Sequence, residues 1–335
     1  MEYRILGKTG LKISRLGFGG IPIQKISQEE TKVLIHYLAE QGVNYIDTAR
    51  AYTVSEAYLG YALEGIRDRF ILATKSMART EQAMEQDIEI SLKTLKTDYI
   101  DLYQVHNPTL AELEQVTAPG GALDALKKAK AAGKIGHIGI TLHSVDLFEK
   151  ALQMDWVETI MFPYNIVETQ AEELIAQCTE KNIGFIAMKP LAGGAIDDAR
   201  LAMRFLMNNP NVTVAIPGMA TVEEAQQNIL SAADKSPLTE QEQENAEQIR
   251  RDLGTNFCRR CRYCEPCSAG ISICSVLLLD GYYHRYGLKD WAIARYNAMP
   301  AKASDCIGCG VCETRCPYHL PIRDLMKKAA EFFEK

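Results

Sequence analysis

The sequence predicts an α/β protein: a (β/α)8 TIM barrel over residues 1–235, then a small, mainly helical, cysteine-rich domain over residues 236–335. Three observations predict it. Over residues 1–230 a short apolar run, a polar turn and an amphipathic stretch of about a dozen residues recur, as parallel strands with crossover helices require. The chain length of 335 residues suits one barrel of about 250 residues plus an appended piece. Nine of the ten cysteines lie between Cys258 and Cys316, so the tail has its own composition.

The elements follow in order. Tyr3 to Leu6 and Lys12 to Ser14 flank Gly7-Lys8-Thr9-Gly10, a glycine-bounded turn that predicts a hairpin plugging the barrel floor. Expected strands are Ser14–Gly19, Val43–Asp47, Phe70–Thr74, Tyr99–Val105, Ile135–Ile140, Val157–Met161, Gly184–Met188 and Val212–Ile216. Helices are expected over Gln28–Glu40, Ser55–Glu64, Glu81–Leu95, Ala122–Ala132, Val145–Leu152, Thr169–Glu180, Ile196–Met207 and Val222–Ser231. Beyond Ser236-Pro237, the charged run Leu238–Arg251 reads as a linking helix. Val276–Tyr296 reads as a helix between two cysteine clusters, and Ile322–Lys335 as a closing helix.

Composition excludes several classes. A hydrophobic fraction of 47% and a charged fraction of 24% are those of a chain with a full core. With 37 basic against 43 acidic residues the net charge is −6, which offers no general attraction to nucleic acid. The N-terminus lacks a signal-peptide core and no stretch is apolar enough to span a bilayer, so no membrane partner and a cytoplasmic location are expected. Gly7-Lys8-Thr9 is not a phosphate loop, because no glycine stands five residues before Gly7; nor does a G-x-G-x-x-G follow the first strand, so a Rossmann fold is not indicated.

Active sites of such barrels lie at the C-terminal ends of the strands. There the second strand runs into Asp47-Thr48-Ala49 with Tyr52 beyond, the third ends Thr74-Lys75, and the fourth ends Gln104-Val105-His106-Asn107. These residues suit proton transfer to a carbonyl oxygen while hydride arrives at carbon. A tyrosine hydroxyl, with a reference pKa near 10, can donate its proton if the phenolate is stabilised, and a neighbouring lysine cation does that. Asp47 would hold the Lys75 ammonium, and a neutral His106 would orient the substrate oxygen.

The segments Asn44-Tyr45-Ile46-Asp47-Thr48-Ala49 with Tyr52, Ala73-Thr74-Lys75-Ser76 and Asp101-Leu102-Tyr103-Gln104-Val105-His106 resemble the Asp, Tyr, Lys and His signature of the aldo-keto reductase family. With Gly17-Phe18-Gly19-Gly20 before and Ile216-Pro217-Gly218-Met219 after, the resemblance covers residues 1 to about 230. It implies NAD(P)(H)-dependent interconversion of a small carbonyl and an alcohol. It also implies a nicotinamide cofactor held by Gly19, Gly20, Asp47, Thr141 (carboxamide), Lys189, Pro190, Leu191 and Gly193 (pyrophosphate), and Pro217, Gly218, Met219 and Asn228 (adenosine half). A helix N-terminus near Val222 would favour phosphate oxygens. Met188, Met161 and Leu142 depart from the residues usual in the family. At the positions that often face the 2′-phosphate of NADP stand Gly218 and Glu224, and a carboxylate there weakly favours NAD(H) over NADP(H).

The second cysteine cluster, Cys306-x-x-Cys309-x-x-Cys312-x-x-x-Cys316-Pro317, has the ferredoxin spacing for a 4Fe-4S cube. The first, Cys258-x-x-Cys261-x-x-Cys264-x-x-Cys267, is one residue shorter and ends at Ser268 instead of proline. By analogy with two-cluster ferredoxins, Cys258, Cys261, Cys264 and Cys316 are assigned to one cube and Cys306, Cys309, Cys312 and Cys267 to the other. Cys274 and Cys178 are expected to be packing residues. Two zinc sites would also satisfy the thiolates, although zinc more usually takes C-x-x-C pairs separated by a long gap. A barrel followed by these motifs resembles the aldo-keto reductase branch with a C-terminal 4Fe-4S ferredoxin-type domain. The alternative is an electron-transfer iron–sulfur protein with a redox partner protein, whose barrel is a docking or sensing module.

Overall fold

The computed structural model describes residues 1–335, which divide into two compact units. The first comprises Met1–Asn165, Thr169–Pro190 and Asp198–Leu238. The second comprises Thr239–Lys335 with two short segments, Ile166–Glu168 and Leu191–Asp197. The main cut thus falls after Leu238, three residues beyond the expected boundary.

In the first unit, strands β1 (Tyr3–Ile5) and β2 (Lys12–Ser14) form an antiparallel hairpin. Strands β3 (Phe18–Gly19), β4 (Tyr45–Asp47), β5 (Ile71–Ser76), β6 (Ile100–His106), β7 (Ile135–Thr141), β8 (Thr159–Pro163), β9 (Gly184–Met188) and β10 (Val214–Ile216) pair in sequence order in one eight-stranded sheet. Parallel bridges Leu16–Ala215 and Gly19–Gly218 join its two edges and close the barrel. Helices α1 (Gln28–Glu40), α2 (Ser55–Ala62), α3 (Glu81–Thr94), α4 (Leu110–Thr117), α5 (Ala122–Ala131), α6 (Val145–Ala151), α7 (Glu172–Glu180), α8 (Ala199–Asn208) and α9 (Val222–Ala233) lie along the chain between and after the strands. All eight strands stand where the apolar runs placed them. The one barrel α-helix not anticipated is α4, which lies between the fourth expected strand and the helix expected over Ala122–Ala132.

Two apolar layers hold the barrel. Inside it, Leu6 and Ile13 of the hairpin region pack with Tyr45, Ala73, Leu102, Met161, Ile186, Met188, Val214 and Ile216. The Lys8 amide donates to Asn182 O at 2.6 Å, just before β9 begins, so the hairpin stoppers the N-terminal end of the strands. Outside, residues such as Leu34, Leu72, Ile140 and Phe148 fill the layer between sheet and helices, each contributing about 1.5–3 kcal/mol by burial.

Local signals set helix starts. Ser27 and Glu30 form a reciprocal capping box for α1, with the Glu30 amide donating to Ser27 Oγ at 3.2 Å and the Ser27 amide to Glu30 Oε2 at 2.7 Å. Thr109 and Glu112 do the same for α4.

The second unit contains α10 (Glu240–Gly254), α11 (Ile273–His284), α12 (Lys289–Asn297), α13 (Val311–Thr314) and α14 (Ile322–Phe333). A separate core, including Ile271, Val276, Tyr296, Ile322 and Met326, gathers the cysteines. The single helix expected over Val276–Tyr296 is two. Gly287 adopts a left-handed φ of 65° that ends the first before the second starts.

Candidate active site and cluster cavities

Strand register brings the barrel-mouth residues together. Asp47 ends β4, Lys75 is the penultimate residue of β5 beside Gln104, and His106 ends β6 beside Thr141. The Lys75 ammonium is buried against Asp47 Oδ2 and donates to Thr48 O at 2.8 Å. Gln104 Nε2 donates to the other Asp47 oxygen at 3.1 Å. Burial pushes the Lys75 pKa down, with Asp47 opposing it, and pushes that of Asp47 up, with Lys75 opposing it. The pair is therefore held by mutual attraction and two hydrogen-bonding neighbours, Thr48 and Gln104, in a site that disfavours either charge alone.

Tyr52 lies on this pair. Lys75 Nζ stands 4.9 Å from the centre of its ring, and the His106 ring is edge-on at 6.2 Å. The loop carrying it is clamped: Ser55 Oγ donates to Gly20 O at 2.9 Å and pairs with Thr48 Oγ1 at 2.8 Å, and the Gly20 amide donates to Asp47 O at 2.8 Å. A side chain at Gly20 would collide with Ser55, whose hydroxyl lies 2.8 Å from where a Cβ would sit. Burial, then the Lys75 and Arg79 cations, pushes the His106 pKa down to about 3, so the imidazole is neutral near pH 7.

Sequence reasoning missed three supports, Arg79, Glu56 and His143. Arg79 donates to His106 O at 2.9 Å. Buried Glu56 accepts from Thr74 Oγ1 at 2.8 Å and Ser91 Oγ at 2.9 Å while pairing with Arg50 at 2.5 Å, tying α2 to β5 and α3. Lys189, with a positive φ of 57°, places Nζ 2.6 Å from His143 Nε2, whose other ring nitrogen lies 3.2 Å from Asn107 Oδ1. Each joins residues distant in sequence, so no local pattern announces it.

The residues expected to hold a dinucleotide divide between the units. In the first, Asn228 is buried with Oδ1 unpartnered, an acceptor suited to an amine such as that of adenine. Thr141 Oγ1 accepts from the Asn107 amide at 3.0 Å, and the Gly19 amide donates to Pro217 O at 2.9 Å. Pro190 and Met219 are buried, and Gly218 is exposed, with room for no side chain against Pro22. The N-terminus of α9 already holds a carboxylate: Glu224 Oε2 accepts from the Ala220 amide at 2.6 Å, where a phosphate oxygen was expected near Val222. Leu191 and Gly193 fall in the segment that groups with the second unit, where Arg285 Nε donates to Gly193 O at 3.0 Å. Of the family departures, Met161 and Met188 belong to the inner barrel core and Leu142 to the outer layer.

In the second unit the cysteines line two cavities. One is bounded by Cys258, Cys261, Cys264, Cys316 and Cys274, with Tyr318 and Ile322. The other is bounded by Cys267, Cys306, Cys309 and Cys312, with Ile271 and Met326, and Cys264 reaches it too. Nine thiols thus line the two cavities, five at each with Cys264 shared, enough to supply four thiolates to each of two cubes. Cys274, expected to be packing, instead faces the first cavity. Cys178 is buried in the barrel's outer layer.

Fold and mouth define a class first: a closed parallel barrel whose strand ends gather a phenol, an ammonium, a carboxylate and an imidazole, followed by a thiol-rich domain. The chain belongs to the aldo/keto reductase family, whose model matches residues 15–201, and residues 257–321 match that of a 4Fe-4S dicluster domain. It is an oxidoreductase of that family with an appended iron–sulfur domain. Among relatives, L-galactose dehydrogenase of Arabidopsis thaliana is 25% identical over 71% of this chain and 90% of its own length. Aldo-keto reductase YhdN of Bacillus subtilis is 34% identical over 54% of this chain and 59% of its own. An aldo-keto reductase from Bacillus halodurans in its holo form shares the fold, with a TM-score of 0.65 at 24% identity over 74% of this chain and 96% of that one. No helix is long and apolar enough to cross a membrane.

Proposed function

We propose that the barrel interconverts a small carbonyl compound and an alcohol using NAD(H) in preference to NADP(H), with Asp47, Tyr52, Lys75 and His106 as its catalytic residues. The observation that carries this is the Lys75 cation, held by Asp47 and set 4.9 Å from the Tyr52 ring. A bound nicotinamide supplies or takes up the hydride. In reduction, Tyr52 hands its hydroxyl proton to the substrate oxygen, and Lys75 stabilises the phenolate left behind. Neutral His106 hydrogen-bonds the same oxygen and fixes its position.

Asn228, Gly19, Gly20, Asp47, Thr141, Lys189, Pro190, Pro217, Gly218 and Met219 are the proposed cofactor contacts in the first unit; for Leu191 and Gly193 the family resemblance alone supports the role. The Glu224 carboxylate at the start of α9 supports the NAD(H) preference, because a 2′-phosphate would meet like charge there. Tyr52→Phe should cut turnover by about 10²–10⁴-fold while NADH binding, read by fluorescence titration, stays as in the wild type. Undiminished turnover discards the assignment of Tyr52.

For the second unit we propose two 4Fe-4S clusters, one on Cys258, Cys261, Cys264 and Cys316 and one on Cys306, Cys309, Cys312 and Cys267. Bound clusters supply one-electron transfer. Exposure of Cys309 and of Ile307, which is 70% exposed at the second cavity, supports exchange with a redox partner protein. Anaerobic iron and sulfide analysis tests the clusters. A spin-resonance signal of reduced cluster on adding NADH alone would mean that the nicotinamide feeds them, and its absence that another donor does.

A further inference from the structure

The first cavity contains five thiols where a cube needs four. Cys274 stands at the second position of α11, 5% exposed, with Sγ 3.8 Å from Cys264 Sγ, and lines the same cavity as Cys258. Its placement is fixed from the backbone. The Cys274 amide donates to Glu265 Oε1 at 3.2 Å, and Glu265 directly follows Cys264, so one carboxylate ties the start of α11 to the cysteine loop. Ser272 Oγ reaches the same oxygen at 3.3 Å. Cys274 therefore shares with Cys258 and Cys264 the wall that a cube would touch, and does so through a rigid helix start instead of a loop.

We propose that Cys274 is a reserve ligand of the first cube, able to take the iron corner of Cys264 or Cys258. This rests on the cluster assignment made above for that cavity. In the exchange the iron–sulfur bond to Cys264 breaks as one to Cys274 forms. The proton leaving the Cys274 thiol passes to the released Cys264 thiolate, so charge and oxidation state are unchanged. A cube with such a spare can lose one protein bond without losing iron. Cys267, Cys306, Cys309 and Cys312 have no comparable extra partner that is not itself assigned to a cube.

Iron per chain and spin resonance of the anaerobically purified full-length protein provide the test. Cys264→Ala and Cys258→Ala should each keep the wild-type iron-to-protein ratio. Adding Cys274→Ala to either should lose at least one iron per chain and yield a three-iron cluster, paramagnetic when oxidised. Cys274→Ala alone should keep the full complement. The second cube's signal shows in every sample that the domain is folded. Equal iron loss in the single and double variants, with that signal intact, overturns the inference, as does iron loss in Cys274→Ala alone. Removing Cys258, Cys261, Cys264 and Cys316 together should empty the cavity. Retention of the wild-type iron content there would instead bring down the ligand assignment itself.

Discussion

The two units prepare for chemistry in opposite ways. In the barrel the buried charges of Lys75 and Asp47 already have their partners, Lys75 in Asp47 and Thr48 and Asp47 in Gln104, and the Tyr52 loop is held by Ser55 and Gly20. In the second unit the polar groups of interest are thiols set around two spaces. One site is organised by hydrogen bonds among its own side chains, the other by whatever inorganic group its ligands close upon. Preorganisation in the first costs buried charge, whereas in the second the cost is dependence on metal supply.

Removing iron and sulfide from the full-length protein with a chelator should break this symmetry most strongly. Amides within residues 258–316 are expected to lose most of their protection against hydrogen exchange, while those of β4, β5 and β6 keep theirs. Equal loss in both units would mean that the barrel also depends on the clusters.

A smaller effect separates the units by pH. His106 has a folded pKa of about 3 against its ordinary 6.5. The unfolded chain therefore takes up a proton at this position below about pH 6.5 that the folded barrel refuses, so stability is full above that pH and declines as pH falls towards 3. His106→Gln should flatten this decline in the urea midpoint of the barrel between pH 7 and 5. Parallel curves for the two proteins would remove His106 as its source.

The smallest effect concerns two helix caps of like design. Ser27→Ala at α1 and Thr239→Ala at α10 should each cost about 1 kcal/mol in the unit that carries it, read as separate shifts in two calorimetric transitions. A shift of both transitions by either variant would show that the units unfold together.

How much of this could be read from sequence depended on distance along the chain. The strands were legible because each is a continuous apolar run with both faces buried. Asp47, Lys75 and His106 were legible because each stands as a polar residue at the end of such a run. The supports supplied by Glu56, Arg79 and His143 were not, since each meets partners on other elements, as Glu56 does with Ser91, 35 residues away. Helix α4 did leave a signal, the Thr109-x-x-Glu112 box, obscured by the proline and glycine around it. Gly287 likewise marked the break between α11 and α12. Cys274 was missed because its four-residue neighbourhood reads as an apolar helix start, and only folding sets it beside Cys264.

The hairpin stopper has a consequence for traffic. With Leu6 and Ile13 closing one end of the strand cylinder and the apolar layer above them filling it, no path leads to Tyr52 through the barrel, and what reaches it comes from the side of the C-terminal strand ends. Under the proposed function, cofactor and substrate would share that side, and whichever lies deeper would be the first in and the last out.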